Sequence, residues 1–135
     1  MTQQEMNKGV VAQYVEAFNR KDYQAMGALF TPDAVIQGVL GRGKLEYVIE
    51  IWKELHTAFG TQLRVESMVA EGDTVAVRFT ERGTFTGPFR GHEPTGKSFE
   101  LVAMEWFLFK DGRIQHRWGA RDSLSQARQI GLPLS

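Results

Sequence analysis

Up to Gly60 the apolar residues recur every three or four positions; beyond it they recur at every second position for most of the chain. In KGVVAQYVEAFNRKD, the residues Val10, Val11, Tyr14, Val15 and Phe18 form one stripe, which predicts an amphipathic helix ending near Asn19 to Lys21. Asp22 can cap a short second helix that buries Met26, Leu29 and Phe30 and stops at Thr31-Pro32, because a residue before proline is pushed out of helical geometry. AVIQGV reads as a brief strand. KLEYVIEIWKELHTAF then carries Leu45, Val48, Trp52, Leu55 and Phe59 at alternating steps of three and four, the clearest helical stripe present.

After Gly60 the period of two predicts strands around Leu63 and Val65, and again around Val75, Val77 and Phe79 beyond the EGD turn. GTFTGPFRGHEPTGK reads as a strand end and a long loop, followed by strands at about 98–110 and 113–122. Helices followed by strands describe an α+β domain: a strongly curved, mixed or antiparallel sheet, cone-shaped, wrapped around three N-terminal helices. No internal repeat interrupts it, so residues 1–135 read as a single domain.

Asp111-Gly112 in LFKDGRIQ is a two-residue type I′ turn signal and sets a register for the last hairpin. Without a bulge, Phe109 opposes Ile114, Phe107 opposes His116, Glu105 opposes Trp118, Ala103 opposes Ala120 and Leu101 opposes Asp122. That face is apolar on both strands and should look toward the helices, with Glu105, His116 and Asp122 as its ionisable intrusions. The other face would carry Val102, Met104, Trp106 and Leu108 beside Gln115, Arg117, Gly119 and Arg121. A solvent face would hardly carry Met104, Trp106 and Leu108, so a homodimer through this outer face is expected, with the arginines toward its rim.

Totals narrow the function. Lys+Arg and Asp+Glu are equal at 16 each and no basic run stands out, which argues against nucleic acid as a partner. Cysteine is absent, removing disulfides, thiolate nucleophiles and Cys-based zinc sites. No stretch approaches the ~20 apolar residues of a membrane span, and the start lacks an apolar signal-peptide core. A soluble, cytoplasmic protein is the expectation. His56, read on the polar side of the third helix, His92 and His116 lack metal-ligand spacing, and GRGK at 41–44 lacks the Walker spacing, so neither a metal nor a nucleotide cofactor is expected.

A carboxylate on an apolar inner wall needs a buried partner or a cavity, because a lone buried charge costs several kcal/mol. Asp122 can serve as acid/base or simply cap a helix starting at SLSQARQIG, where Ser123 could equally cap. Glu105 can be catalytic or form a buried pair with His116 or an arginine, and His116 can shuttle protons or hold a structural hydrogen bond. Tyr14, Trp52, Phe59, Phe107 and Trp118 are each core candidates, yet together they suit a flat hydrophobic ligand.

Three segments, VVAQYVEAFNRKDYQAMGALFTPDAV, VAEGDTVAVRFTERGTFTGPFRGHEPTGKSFE, and FKDGRIQHRWGARD followed by QIGLP, match a known pattern in content and order. The chain resembles the SnoaL-like polyketide cyclases, also called ester cyclases, of the nuclear-transport-factor-2-like superfamily. The resemblance implies a cone of curved sheet, a deep apolar pocket, a homodimer through the outer face, and intramolecular aldol ring closure without metal or cofactor. It also implies that the Asp after the last-strand Trp, here Asp122, is the acid/base. Gln37 stands where the family often has His, and His116-Arg117 where it has an acidic residue then His, so Asp122 alone carries over; Gln37 remains a candidate substrate contact.

The leading expectation is thus a cofactor-independent cyclase or isomerase of a hydrophobic polyketide-like carbonyl compound, with Glu105 or His116 assisting Asp122. A pocket that only carries or senses an apolar small molecule comes second. Epoxide hydrolysis comes last, because it asks for another inward Asp beside an Arg, which this register does not offer.

Overall fold

The computed structural model describes residues 1–134; Ser135 lies outside the described residues. Helix α1, Gln3–Arg20, starts at a capping box in which Thr2 and Glu5 satisfy each other's backbone N–H groups. Asp22 caps α2, Tyr23–Gly27, as the sequence predicts. This helix ends sooner than expected, and Phe30 instead opens β1, Phe30–Gly38, where its ring is buried. Pro32 is tolerated there because the register with the neighbouring strand is irregular between Phe30 and Val35, so no ladder bond needs its missing N–H. A short β2, Gly41–Lys44, precedes α3, Leu45–Phe59, which Gly60 ends in left-handed geometry at φ 58°.

Strands β3, Gln62–Glu71, β4, Thr74–Thr84, β5, Ser98–Lys110, and β6, Arg113–Arg121, follow, and α4, Ser123–Ile130, closes the chain. They form one curved six-stranded sheet in the order β2-β1-β6-β5-β4-β3. All neighbours are antiparallel except β1 and β6, which run parallel. The inner face carries Val75, Val77 and Phe79 of β4 and Phe99, Leu101, Ala103, Phe107 and Phe109 of β5 against Tyr14, Phe18, Trp52 and Phe59 of the helices. The α+β cone expected from the sequence is thus the observed fold.

The hairpin between β5 and β6 departs from expectation at one residue. Its turn is as predicted, with Asp111 and Gly112 at φ 51° and 80°, and Phe109 pairs with Ile114. A bulge at Gln115 then shifts the register, so that Leu108 pairs with His116, Trp106 with Trp118, Glu105 with Gly119 and Ala103 with Arg121. Because side chains alternate, one extra residue exchanges the two faces of β6. Arg117, Gly119 and Arg121 turn inward, whereas His116, Trp118 and Ala120 turn outward. Two inward carboxylates, Glu81 on β4 and Glu105 on β5, explain the exchange: the unbulged register would bury them without cations.

Candidate active site

The charged part of the interior is built from three neighbouring strands. Arg117 donates from Nε to Oε1 of Glu105 at 3.1 Å and from Nη2 to Oε2 at 2.8 Å, a bidentate pair with both side chains buried. Its Nη1 donates to the Gln37 carbonyl at 3.3 Å, tying β1 to the pair. Arg121 engages Glu81 in the same way, from Nε to Oε1 at 3.0 Å and from Nη2 to Oε2. Gly119 permits the first pair, since a Cβ there would lie 2.8 Å from Nη1 and 2.9 Å from Cζ of Arg117.

Tyr14 reaches the same place from α1. Its ring is fully buried, edge-on to Phe107 at 5.4 Å and to Trp52 at 5.9 Å. Its hydroxyl has no hydrogen-bond partner among the described residues, although Glu105 and Arg117 lie close enough to influence it. Burial, with Glu105 adding to it, pushes the phenol well above its usual range, so it stays protonated. Burial acts to lower the Arg117 guanidinium, but the Glu105 carboxylate and the Tyr14 hydroxyl together outweigh it and hold the cation protonated.

Between these groups and the helices lies a narrow space of about 50 Å³, lined on its apolar side by Phe18, Trp52, Leu55 and Leu63 and on its polar side by Tyr14 and the two ion pairs. A second space of about 60 Å³ sits beneath α3 and shares Trp52, Leu55, Arg117 and Arg121 with the first. At ~10–15 Å³ per water, each has room for only a few water molecules.

Several sequence-predicted residues lie elsewhere. Asp122 is exposed, and its carboxylate accepts from the Ser125 N–H at 3.0 Å as the N-cap of α4. The inward placement expected for it is corrected: the bulge and the start of α4 turn it to solvent. His116 and Trp118, also expected inside, stack on each other on the outer face with ring centroids 3.7 Å apart. Burial, with the charge of Arg42 adding to it, lowers the His116 imidazole below its ordinary value. Gln37 is exposed beside Trp118, and it is its backbone carbonyl that reaches the site. Glu105, Tyr14 and Trp52 do meet around the cavity, and Glu105 takes an arginine partner, one of the two alternatives weighed for its pairing. Phe107 supports Tyr14 from the core, while Phe59 belongs to a separate cluster with Phe85, Phe89 and Phe99.

Glu81, Arg117 and Arg121 escaped the sequence reading. A signal existed: Val75, Val77 and Phe79 place Glu81 inward just as Ala103 and Phe107 place Glu105, and two inward acids require two inward cations. Arginines four residues apart on the adjacent strand meet that need after a one-residue shift. His56, expected on a polar face, is buried, bonded through Nδ1 to the Tyr23 hydroxyl at 2.6 Å and packed 4.3 Å from the Phe18 ring.

The SnoaL-like polyketide cyclase profile matches residues 8–130. The chain belongs to the SnoaL-like polyketide cyclase family. Among solved structures, this family member is similar to IdmH from Streptomyces antibioticus, ascribed polyketide cyclase activity, at 30% identity over 93% of this chain and 99% of that one, with a TM-score of 0.84. It is similar also to AclR from Streptomyces galilaeus, ascribed hydroxylase activity, at 27% identity over 95% of this chain and 82% of that one, with a TM-score of 0.86. An epoxide hydrolase from Mycobacterium tuberculosis shares the fold, at 16% identity over 96% and 92% of the chains and a TM-score of 0.76. No curated protein matches the sequence. Among the described residues no helix is long and apolar enough to cross a membrane, and no cluster of three or more potential metal ligands occurs.

Proposed function

We propose that this SnoaL-like protein is a cofactor-independent acid/base enzyme that closes a ring in, or isomerises, a hydrophobic polyketide-like carbonyl compound, with Glu105 as the base and Tyr14 as the donor to oxygen. One observation carries the reading: a fully buried phenol without a partner, beside a carboxylate–guanidinium pair, on the polar wall of an otherwise apolar cavity. Each Glu105 oxygen bound by Arg117 keeps a second lone pair. Glu105 takes a proton from a carbon flanked by two carbonyls, and the Tyr14 O–H and the Arg117 edge stabilise the enolate oxygen. The carbanion attacks a third carbonyl of the same molecule, the C–C bond forms as that C=O π bond opens, and the new alkoxide recovers the proton from Glu105. Aromatic and aliphatic walls fold the substrate so that the reacting carbons meet.

The test is turnover of a synthetic aryl polyketone, followed by absorbance, in Glu105→Gln and Tyr14→Phe variants that retain the native circular dichroism spectrum. Losses of about 10²–10⁴ for Glu105→Gln and of about 10²–10³ for Tyr14→Phe are expected; full rates in both folded variants would remove the proposal. Asp122, exposed and committed to a helix cap, has no part in this scheme.

Addition of water to an epoxide is the second reading, favoured by one observation: two carboxylate–guanidinium pairs face a space of water size. The inward Asp beside an arginine whose absence ranked it last is not found on the described strands; the bulge brings instead two inward glutamates, each held by an arginine. Incorporation of ¹⁸O from labelled water into the diol of cyclohexene oxide would favour it over cyclisation. We infer, finally, that the outer sheet face pairs with a second copy of the chain, since Met104, Trp106, Val102 and Trp118 stand exposed there together.

A further inference from the structure

Glu81 on β4 and Arg121 on β6 take no part in that ring closure, yet their side chains are only 6% and 12% exposed. Arg121 gives Nε and Nη2 to the Glu81 carboxylate. The planar fork of a guanidinium puts those two nitrogens on one edge. Nη1 therefore stands on the edge turned away from Glu81, where it makes no hydrogen bond among the described residues. Arg117 is held in the same way by Glu105, but its Nη1 already donates to the Gln37 carbonyl at 3.3 Å. Of the two cations, Arg121 is the one with a whole amino group to spare.

The two interior spaces meet different sides of these pairs. The first borders both carboxylates and Tyr14 as well as both guanidiniums. The one beneath α3 borders Arg117 and Arg121 without Glu81, Glu105 or Tyr14. Its apolar wall includes Val48, Ile51, Trp52 and Leu55, which the helical repeat brings to one side of α3. A greasy space whose charged wall is made of guanidiniums alone favours an acceptor oxygen. Because two glutamates already balance the two arginines, a neutral carbonyl fits there, whereas a carboxylate would bring an unbalanced buried charge.

We propose that the space beneath α3 is the subsite for the carbonyl under attack, with Nη1 of Arg121 as the catalytic donor to its oxygen. This role rests on the acid/base reading of the cavity. Tyr14 and Arg117 hold the enolate oxygen in the first space, and Arg121 polarises the C=O that lies across the wall the two spaces share. As the C–C bond forms, the π pair moves onto that oxygen and Nη1 meets the developing alkoxide. The oxygen ends two bonds from the carbon that Glu105 deprotonated, so the proton returns from Glu105 directly. Negative charge passes from Glu105 to the enolate, to the alkoxide and back, and the net charge of the interior stays constant.

Replacing Arg121 by an uncharged residue alone would strand Glu81, so the test combines Glu81→Gln with Arg121→Gln. Arg121→Lys, which keeps a cation for Glu81 but lacks the second amino edge, serves beside it and should behave alike. The binding probe is acetone labelled with ¹³C at its carbonyl, titrated into the full chain, with the methyls of Val48 and Ile51 reporting the subsite and those of Leu63 the first space. In the wild type Val48 and Ile51 should shift saturably as the carbonyl resonance moves downfield, and the folded variants should bind about tenfold more weakly. Absence of saturation at Val48 and Ile51, acetate bound more tightly than acetone, or undiminished affinity in the folded variants would each overturn the subsite. Ring closure of the aryl polyketone should fall about 10²–10³-fold in the variants, while deuterium exchange at the methylene of ethyl benzoylacetate, which offers no further carbonyl to attack, should stay within about twofold of wild type. Equal losses in the two reactions, or undiminished closure, would overturn Arg121 as the donor. A wild type that catalyses neither reaction removes the acid/base reading instead, and the acetone titration still decides the subsite.

Discussion

Gly119 is where a single residue decides the site. Its hydrogen occupies the space that Arg117 crosses to reach Glu105, so Gly119→Ala should displace the guanidinium and lower both stability and turnover, read from denaturant midpoints and initial rates. Glu105→Ala should cost more, about 3–5 kcal/mol, because it leaves a buried cation unpaired. At Asp122 the expectation is opposite in kind: Asp122→Ala should lose about 0.5–2 kcal/mol as a helix cap while turnover changes less than twofold, and Asp122→Asn should be nearly silent in both. Glu105 was legible in the sequence as an inward acid, because neighbours on either side in its strand are apolar. Its partner was not, since alternation on β6 reads equally well in two registers.

The bulge and the helix layer belong to the scale of elements. Deleting Gln115 would straighten β6, send Arg117 and Arg121 outward and strand Glu81 and Glu105; the variant should lose native dispersion in its NMR spectrum rather than fold with a new face. Helices α1, α2 and α3 meet at His56, whose imidazole burial, and then the charge of Lys21, lowers below its ordinary value. The unfolded chain therefore takes up this proton first as pH falls through about 6.5, and stability contributed by neutral His56 is lost toward acid. Urea midpoints between pH 8 and pH 5 should fall in the wild type, and the portion of that slope due to His56 should vanish in His56→Phe. Helical periods and the Asp22 cap were visible in the sequence. The early end of α2 was not, because Leu29 and Phe30 fit a helical stripe as well as a strand entry.

For the molecule as a whole, the register shift makes the outer face more apolar than the sequence alone implies: it gains Trp118, 37% exposed, beside Trp106, 53% exposed, and loses two arginines. A stable pairing needs roughly 800 Å² from each partner, and a face of this composition has the character of an interface core. Light scattering at micromolar concentration should give twice the chain mass, and Trp106→Glu should return it to the monomer. The cone itself, helices against a curved sheet, followed from the change of period at Gly60.

What the sequence determined by itself was what local periodicity can carry: the helices, most of the strands, the type I′ turn, the α+β class and the inward position of Glu105. Tertiary structure decided the rest, namely which arginines face the acids, the demotion of Asp122 to a cap, and the outward turn of His116 and Trp118. The physical reason is that a bulge leaves no reliable mark on its own strand. It is selected by the charges that another strand buries, and that choice exists only once β4, β5 and β6 lie side by side.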